Sequence, residues 1–244
     1  MLKNAVILAA GSGTRLRPLT DSTPKCLTIV NDTPILLNAL GALASAGVEE
    51  CTIVTGYLSQ AVERAVGCFH SGMNVRCVLN EIYAKTNDMY SLLLARDALE
   101  KGALVVEGDV FFRPRILPEA DRAMGPKSYY FAGLYDGRKN EVRIETSAER
   151  RVLSIEVCRG GKSRPTGLNV FFSAGFIAVQ PGLGARLSRW LSAYAARGEV
   201  DVLFDDILAA HVRESALFVH EISLRDWVEV DTLQDLKRAE ETFR

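Results

Sequence analysis

Residues 8–27 read "LAAGSGTRLRPLTDSTPKCL" and concentrate groups that suit an anion. Gly11 and Gly13 let backbone N–H groups approach a ligand closely, and successive N–H groups form an anion-binding nest. Thr14 adds a hydroxyl donor. Arg15 adds a planar fork matched to phosphate oxygens, and Lys25 an ammonium placed to return to the same anion. Arg17 either joins them or is solvated. Pro18 and Pro24 restrict the loop, so less entropy is lost when it closes on a ligand. The plain alternative is a surface turn. A dinucleotide loop is disfavoured because Leu16 stands where G-x-G-x-x-G needs its third glycine, and no Gly-Lys-Ser/Thr follows to make a Walker A loop.

Two further sets are carboxylates and amides. "VVEGDVFF" places Asp109 just past an apolar strand-like run, at the edge where open α/β sheets bind ligands. A turn-forming Asp after Gly108 is the competing reading. "WVEVDT" places Glu229 and Asp231 on one face of an extended segment and Val228 and Val230 on the other. It is otherwise an exposed strand, with Asp231 or Thr232 capping the terminal helix. "NEIYAKTNDMYSL" (80–92) offers Asn80, Glu81, Thr86, Asn87 and Ser91 as polar contacts. Periodicity alone favours a polar loop with Asp88 capping the next helix. In the second half, Lys162 in "RGGKSRPTG" suits an anion or decorates a surface hairpin. Asp201 and Asp205, four apart, are expected on one helix face with Asp206 nearby. They suit a cationic head group or a solvated cap. Tyr129, Tyr130, Phe171, Phe172 and Phe176 are candidates for an aromatic cage around a quaternary ammonium, although strand alternation sends several of them to the core. His70, His211 and His220 make no zinc motif.

The elements that must position these residues alternate. Apolar runs at 4–10, 50–56, 74–80 and 103–109 read as strands, and the patterns at 34–47, 59–69 (capped by Ser59) and 88–100 read as helices. Such alternation predicts an α/β fold: a Rossmann-like, mostly parallel central sheet flanked by helices. After about residue 125, strand-like runs with turn-like links predict added mixed strands, followed by helices at 183–197 and 202–213, a strand at 216–222 and a terminal helix. A single domain over 1–244 is expected, its pattern changing at about residue 125. The formal net charge of −1 argues against a nucleic-acid partner. Five scattered cysteines read as reduced thiols of a cytoplasmic protein, and the first apolar run is too short to span a membrane.

Residues 8–27 resemble the signature L-A-A-G-x-G-x-R-L-x-P-L-T-x-x-x-P-K of the nucleotidyl-diphospho-sugar transferase family, nucleotidyltransferases that activate sugar phosphates and phosphocholine. Every fixed element is present, and the likeness continues through Gly108–Asp109 and "WVEVDT". The resemblance implies that Leu8, Ala10, Gly11, Ser12, Gly13 and Thr14 hold a nucleotide, and that Arg15 and Lys25 bind its phosphates and the leaving pyrophosphate. It implies Mg²⁺ on Asp109 and Asp231, with Glu229 as a third ligand or an acceptor contact. The N-E-x-Y opening at Asn80 and Glu81, with Asn87 and Ser91 after it, is similar to the phosphocholine cytidylyltransferase branch and tilts the nucleotide towards CTP. The resemblance implies a nucleotide-binding half over 1–125 and an acceptor-binding half over 126–244, where Lys162 and Asp205 are the other expected acceptor contacts. The implied reaction moves CMP from CTP to phosphocholine, 2-aminoethylphosphonate or a similar small acceptor. The implied partners are therefore an NTP and that acceptor, with neither nucleic acid nor membrane, and a homodimer is allowed. A sugar-1-phosphate uridylyl-, thymidylyl- or guanylyltransferase and a non-catalytic nucleotide sensor stay open as alternatives.

Overall fold

The first apolar run forms strand β1 (Asn4–Ala9), largely buried on both faces, at the middle of the sheet. The computed structural model describes residues 2–117, 125–136, 142–159 and 169–244. A small hairpin of β2 (Ile29–Val30) and β3 (Thr33–Pro34) leads into helix α1 (Ile35–Ser45). β1 pairs in parallel with β4 (Glu50–Thr55) and with β6 (Ala103–Glu107), and β5 (Asn74–Leu79) adds a parallel strand outside β4. The crossovers are α1, α2 (Ser59–Gly67), and the pair α3 (Asp88–Leu94) and α4 (Arg96–Glu100). Leu36, Leu40 and Leu43 of α1 pack with Ile7 and Ile53 on one sheet face. Met89, Leu92 and Leu99 pack with Val6, Val54 and Val105 on the other. Burial on both faces is what makes these strands read as continuous apolar runs.

Two helix boundaries differ from the sequence expectation. Ser59 is the first helical residue and the cap position falls to Leu58, which adopts a left-handed conformation (φ 49°). The helix expected over 88–100 breaks at Ala95, whose N–H turns back to the Leu92 carbonyl. The break sets the Leu99 carbonyl against α5 (Pro181–Ala196), so closely that a Cβ at Gly184 would lie 1.8 Å from it.

The mixed strands join the sheet through β11 (Val170–Val179), which is antiparallel to β6. β8 (Ser128–Leu134) and β9 (Val142–Thr146) pair with β11, and β10 (Val152–Val157) pairs with β9. β12 (Leu217–Glu221) adds to β8 in parallel. Tyr130, Phe171, Phe172 and Phe176 are buried in the core, and Tyr129 packs on Phe218, so these aromatics form no cage. α6 (Phe204–Ala210) begins after Asp201, so Asp201 and Asp205 do not share a helix face. The short α7 (Val212–Ser215) follows. A separate ribbon pairs β7 (Val110–Phe112) with β13 (Trp227–Glu229). Thr232, not Asp231, caps α8 (Leu233–Thr242), in a reciprocal box with Asp235. Among the described residues no helix is long and apolar enough to cross a membrane.

Candidate active site

The carboxyl ends of β1 and β6 open into a cavity of about 490 Å³. One wall is the loop after β1, including Ala10, Gly11, Gly13, Thr14, Arg15 and Lys25, with Leu8 beneath. Gly13 is left-handed (φ 62°), and a Cβ there would fall 2.8 Å from Lys25 Cβ. Its carbonyl accepts from Leu16 N at 3.0 Å and from Thr20 Oγ1 at 2.7 Å, which folds the run into a tight turn. Leu16 is fully buried with Val30, Ile35, Phe111 and Val228. The residue that spoils a dinucleotide pattern is therefore the anchor of this loop. Ser12 lies outside the cavity lining, and Arg17 pairs with Asp21 on the surface.

The facing wall is acidic. Val230 N donates to the Asp109 carbonyl at 2.9 Å and Glu229 stands opposite Val110 in the ribbon, so the β7–β13 ladder brings Asp109, Glu229 and Asp231 together. Gly108 lets β6 end against β1: its N–H donates to the Leu8 carbonyl at 3.0 Å, and a Cβ would lie 2.6 Å from that oxygen. Lys25 Nζ donates to Asp231 Oδ1 at 2.6 Å and also to Asp109 Oδ2. Arg15 Nη2 donates to the same Asp231 oxygen at 2.8 Å. Burial alone would lower the Lys25 pKa, but the charges of Asp109 and Asp231 outweigh it and hold the ammonium well above its ordinary value. Burial would raise the Asp231 pKa, but Lys25 and Arg15 pull it below the usual carboxylate range.

Asp109 Oδ1 is buried and has no hydrogen-bond partner among the described residues. Glu107, Asp109 and Glu229 present oxygens within 4.8 Å of one another. Burial first, then the charges of Asp109 and Glu229, push the Glu107 carboxyl well up. An unpartnered buried carboxylate oxygen beside two further carboxylates fits a hard divalent cation.

Asn80 is buried at the cavity side and spends its amide internally. Its Nδ2 donates to Thr86 Oγ1 (3.0 Å) and Ser91 Oγ (3.2 Å), and its Oδ1 accepts from Ile82 N (3.2 Å). It thereby shapes the wall formed by Tyr83, Thr86, Asn87 and Ser91. Glu81 is exposed and outside the lining. Asn87, rather than Asp88, caps α3 by accepting from Asp88 N at 2.9 Å.

The far end holds Asp88, Asp205 and Arg159. Asp205 is buried and accepts from Tyr130 Oη at 2.5 Å. Burial pushes its carboxyl up to about 6, opposed by that hydrogen bond and helped by the charge of Asp206. Asp88 Oδ1 accepts from Phe204 N at 2.8 Å. Arg159 pairs with Asp206. Lys162 lies outside the described residues. Glu107, Asp88 and Arg159 escaped the sequence reading. Glu107 had a signal, since a charge closes the buried run "ALVVE" two residues before Asp109. Asp88 was masked by its place at a helix start, and Arg159 by the basic run around Lys162.

A basic glycine loop facing a carboxylate wall at the carboxyl edge of a parallel sheet defines a nucleotide-handling α/β transferase. The Nucleotidyl transferase family matches residues 4–138, and the chain belongs to this family of enzymes. It is 30% identical over 243 residues to the 2-aminoethylphosphonate cytidylyltransferase of Lancefieldella rimae, with 96% of this chain and 90% of that protein covered. It is 28% identical to the choline-phosphate cytidylyltransferase of Streptococcus pneumoniae, with 98% of each covered. The solved structure of the CTP:phosphocholine cytidylyltransferase from Streptococcus pneumoniae superposes with a TM-score of 0.82 at 26% identity, covering 99% of both chains. The chain is a nucleotidyltransferase, and these relatives are named cytidylyltransferases.

Proposed function

We propose that the protein moves CMP from CTP to a small acceptor that carries a phosphate or phosphonate at one end and a primary amine at the other. The observation that carries this reading is the polarity of the cavity. A basic loop and the carboxylates Asp109 and Asp231, with Glu107 beside them, lie at one end, while Asp88 and Asp205 lie at the other. Phosphocholine, the acceptor in the name of the pneumococcal relative, is the second reading. Quaternary ammonium groups are held by aromatic faces, and among the described lining residues Tyr83 is the one aromatic side chain.

An anionic oxygen of the acceptor attacks the α-phosphorus. A new P–O bond forms as the bond to the bridging oxygen of pyrophosphate breaks in line. The nucleophile is already charged, so no side chain has to take a proton. The loop N–H groups around Gly11 and Gly13 hold the phosphates, and Arg15 and Lys25 neutralise the charge growing on pyrophosphate. Asp109 and Asp231 would hold Mg²⁺, with Glu107 and Glu229 beside them. When bound, the ion screens the triphosphate and supplies positive charge at the reacting phosphoryl group.

The test is pyrophosphate release with Mg²⁺ from each of CTP, UTP, dTTP and GTP, paired with 2-aminoethylphosphonate, phosphocholine and sugar 1-phosphates. CTP with 2-aminoethylphosphonate should be the fastest pair. Lys25→Ala and Asp109→Ala should each lower kcat by roughly 100- to 1,000-fold, the effect of removing one transition-state contact. Release from UTP or dTTP with sugar 1-phosphates alone, or near-normal turnover in either variant, would overturn the reading.

A further inference from the structure

The basic and acidic walls of the cavity are joined by Lys25. Its ammonium bonds Asp231 Oδ1 at 2.6 Å and also bonds Asp109 Oδ2, and Arg15 adds a third bond to the Asp231 oxygen. Two cations thus balance the two carboxylates expected to hold metal. Mg²⁺ binds carboxylate oxygen at about 2.0–2.1 Å. An ion bridging Asp109 Oδ2 and Asp231 Oδ1 at that distance would occupy the space of the ammonium already bonded to both.

We propose that the Lys25 ammonium is a built-in stand-in for the divalent cation: it fills the position between Asp109 and Asp231 and excludes metal until nucleotide phosphates draw it across to the glycine loop. The geometry provides the coupling. Lys25 Cβ lies against Gly13, 2.8 Å from where a Cβ would sit, so the phosphate loop and the lysine stem are packed on each other. A triphosphate on the loop offers Lys25 and Arg15 new anionic partners and releases both carboxylates together. Metal and nucleotide then bind as a unit, and by linkage each tightens the other by the same factor. The inference rests on the metal site of the proposed reaction and adds an order to its assembly.

The probe is Mn²⁺, followed by the electron paramagnetic resonance signal of the free ion. Wild-type protein without nucleotide should take up Mn²⁺ weakly. With CTP it should take up more than CTP alone accounts for. Lys25→Met, which keeps the stem and removes the ammonium, should bind Mn²⁺ without nucleotide roughly tenfold or more tighter, the scale of ordinary coupling between sites. Adding Asp231→Asn to that variant should return binding to the weak level. Micromolar uptake by nucleotide-free wild type overturns the inference, because metal would then enter through Asp109 Oδ1, Glu107 and Glu229 with Lys25 in place. Unchanged affinity in Lys25→Met overturns it as well. If circular dichroism shows that variant unfolded, Lys25→Gln takes its place, and the wild-type titration decides alone if both fail. A protein that released pyrophosphate from CTP yet bound Mn²⁺ unaided would keep the proposed function and lose this inference. A protein that gained Mn²⁺ affinity in Lys25→Met but released no pyrophosphate would do the reverse.

Discussion

Asp205 couples the cavity to the stability of the fold. Its carboxyl is pushed from an ordinary 3.8 up to about 6, chiefly by burial. Between those values the folded protein keeps a proton that the unfolded chain releases. Stability from this group is therefore full below about pH 4, falls as pH rises, and is lost once pH passes 6. The span corresponds to at most about 3 kcal/mol. The groups facing it are Asp206, Tyr130, Glu107 and Asp88, and the last two, also pushed up, drive the same trend. Asp205→Asn keeps an oxygen to accept from Tyr130 and removes the titration. Thermal melts at pH 4.5, 6 and 7 should show the wild type losing more stability with rising pH than the variant. Parallel losses would show that Asp205 does not carry the effect. Arg159 belongs to the same end of the cavity. It is tied to Asp206 and sets a positive charge at the end proposed to take the acceptor's amine, which it opposes. Arg159→Gln should therefore lower KM for 2-aminoethylphosphonate and leave KM for CTP unchanged. A change in both constants would instead mark a general disturbance of the cavity.

At the scale of elements, the loop after β1 allows a clean comparison of two glycines. Among the described residues a Cβ at Gly11 meets nothing within 4 Å, whereas Gly13 is left-handed and pressed against Lys25. Gly13→Ala should lower stability by about 1–3 kcal/mol through backbone strain and contact, and should weaken CTP binding as well. Gly11→Ala should melt like wild type and affect CTP alone, because its methyl points into space a phosphate would use. Equal melting of both variants would refute this assignment of roles. This contrast also marks what the sequence made legible. The glycine loop, Lys25 and the alternating strands β1, β4, β5 and β6 were readable because each is a local pattern: continuous apolar runs closed by glycine, and a fixed spacing of basic residues. The break at Ala95 was not, since no proline or glycine marks it, and the close approach of Leu99 to Gly184 that goes with it lies far along the chain. The strand neighbours of β11 were also hidden. Alternation gives a strand's faces but not its partners, and β11 draws them from three separate segments.

At the scale of the whole molecule, the site is assembled from six distant stretches: the loop to Lys25, the segment from Asn80 to Ser91, Glu107 to Asp109, Arg159, Asp205, and Glu229 to Asp231. The sequence offered most of these as separate polar segments. Their meeting depends on the β7–β13 ribbon, whose other end is pinned by Arg113 and Arg115 on the buried Asp226. A ligand bridging the loop and the ribbon holds both halves of the chain, so its binding should appear as global stability. A ligand at about 100 times its Kd adds roughly 2.7 kcal/mol. For a chain of this size that raises Tm by about 5–10 °C. CTP with Mg²⁺ should give a shift of this order. Mg²⁺ alone should give a small fraction of it, because Lys25 bridges the walls until nucleotide phosphates draw it away, and CTP alone should give less than the pair. UTP with Mg²⁺ should shift Tm less than CTP does. Equal shifts from Mg²⁺ alone and from the pair would mean that the ribbon carboxylates bind metal independently of the loop.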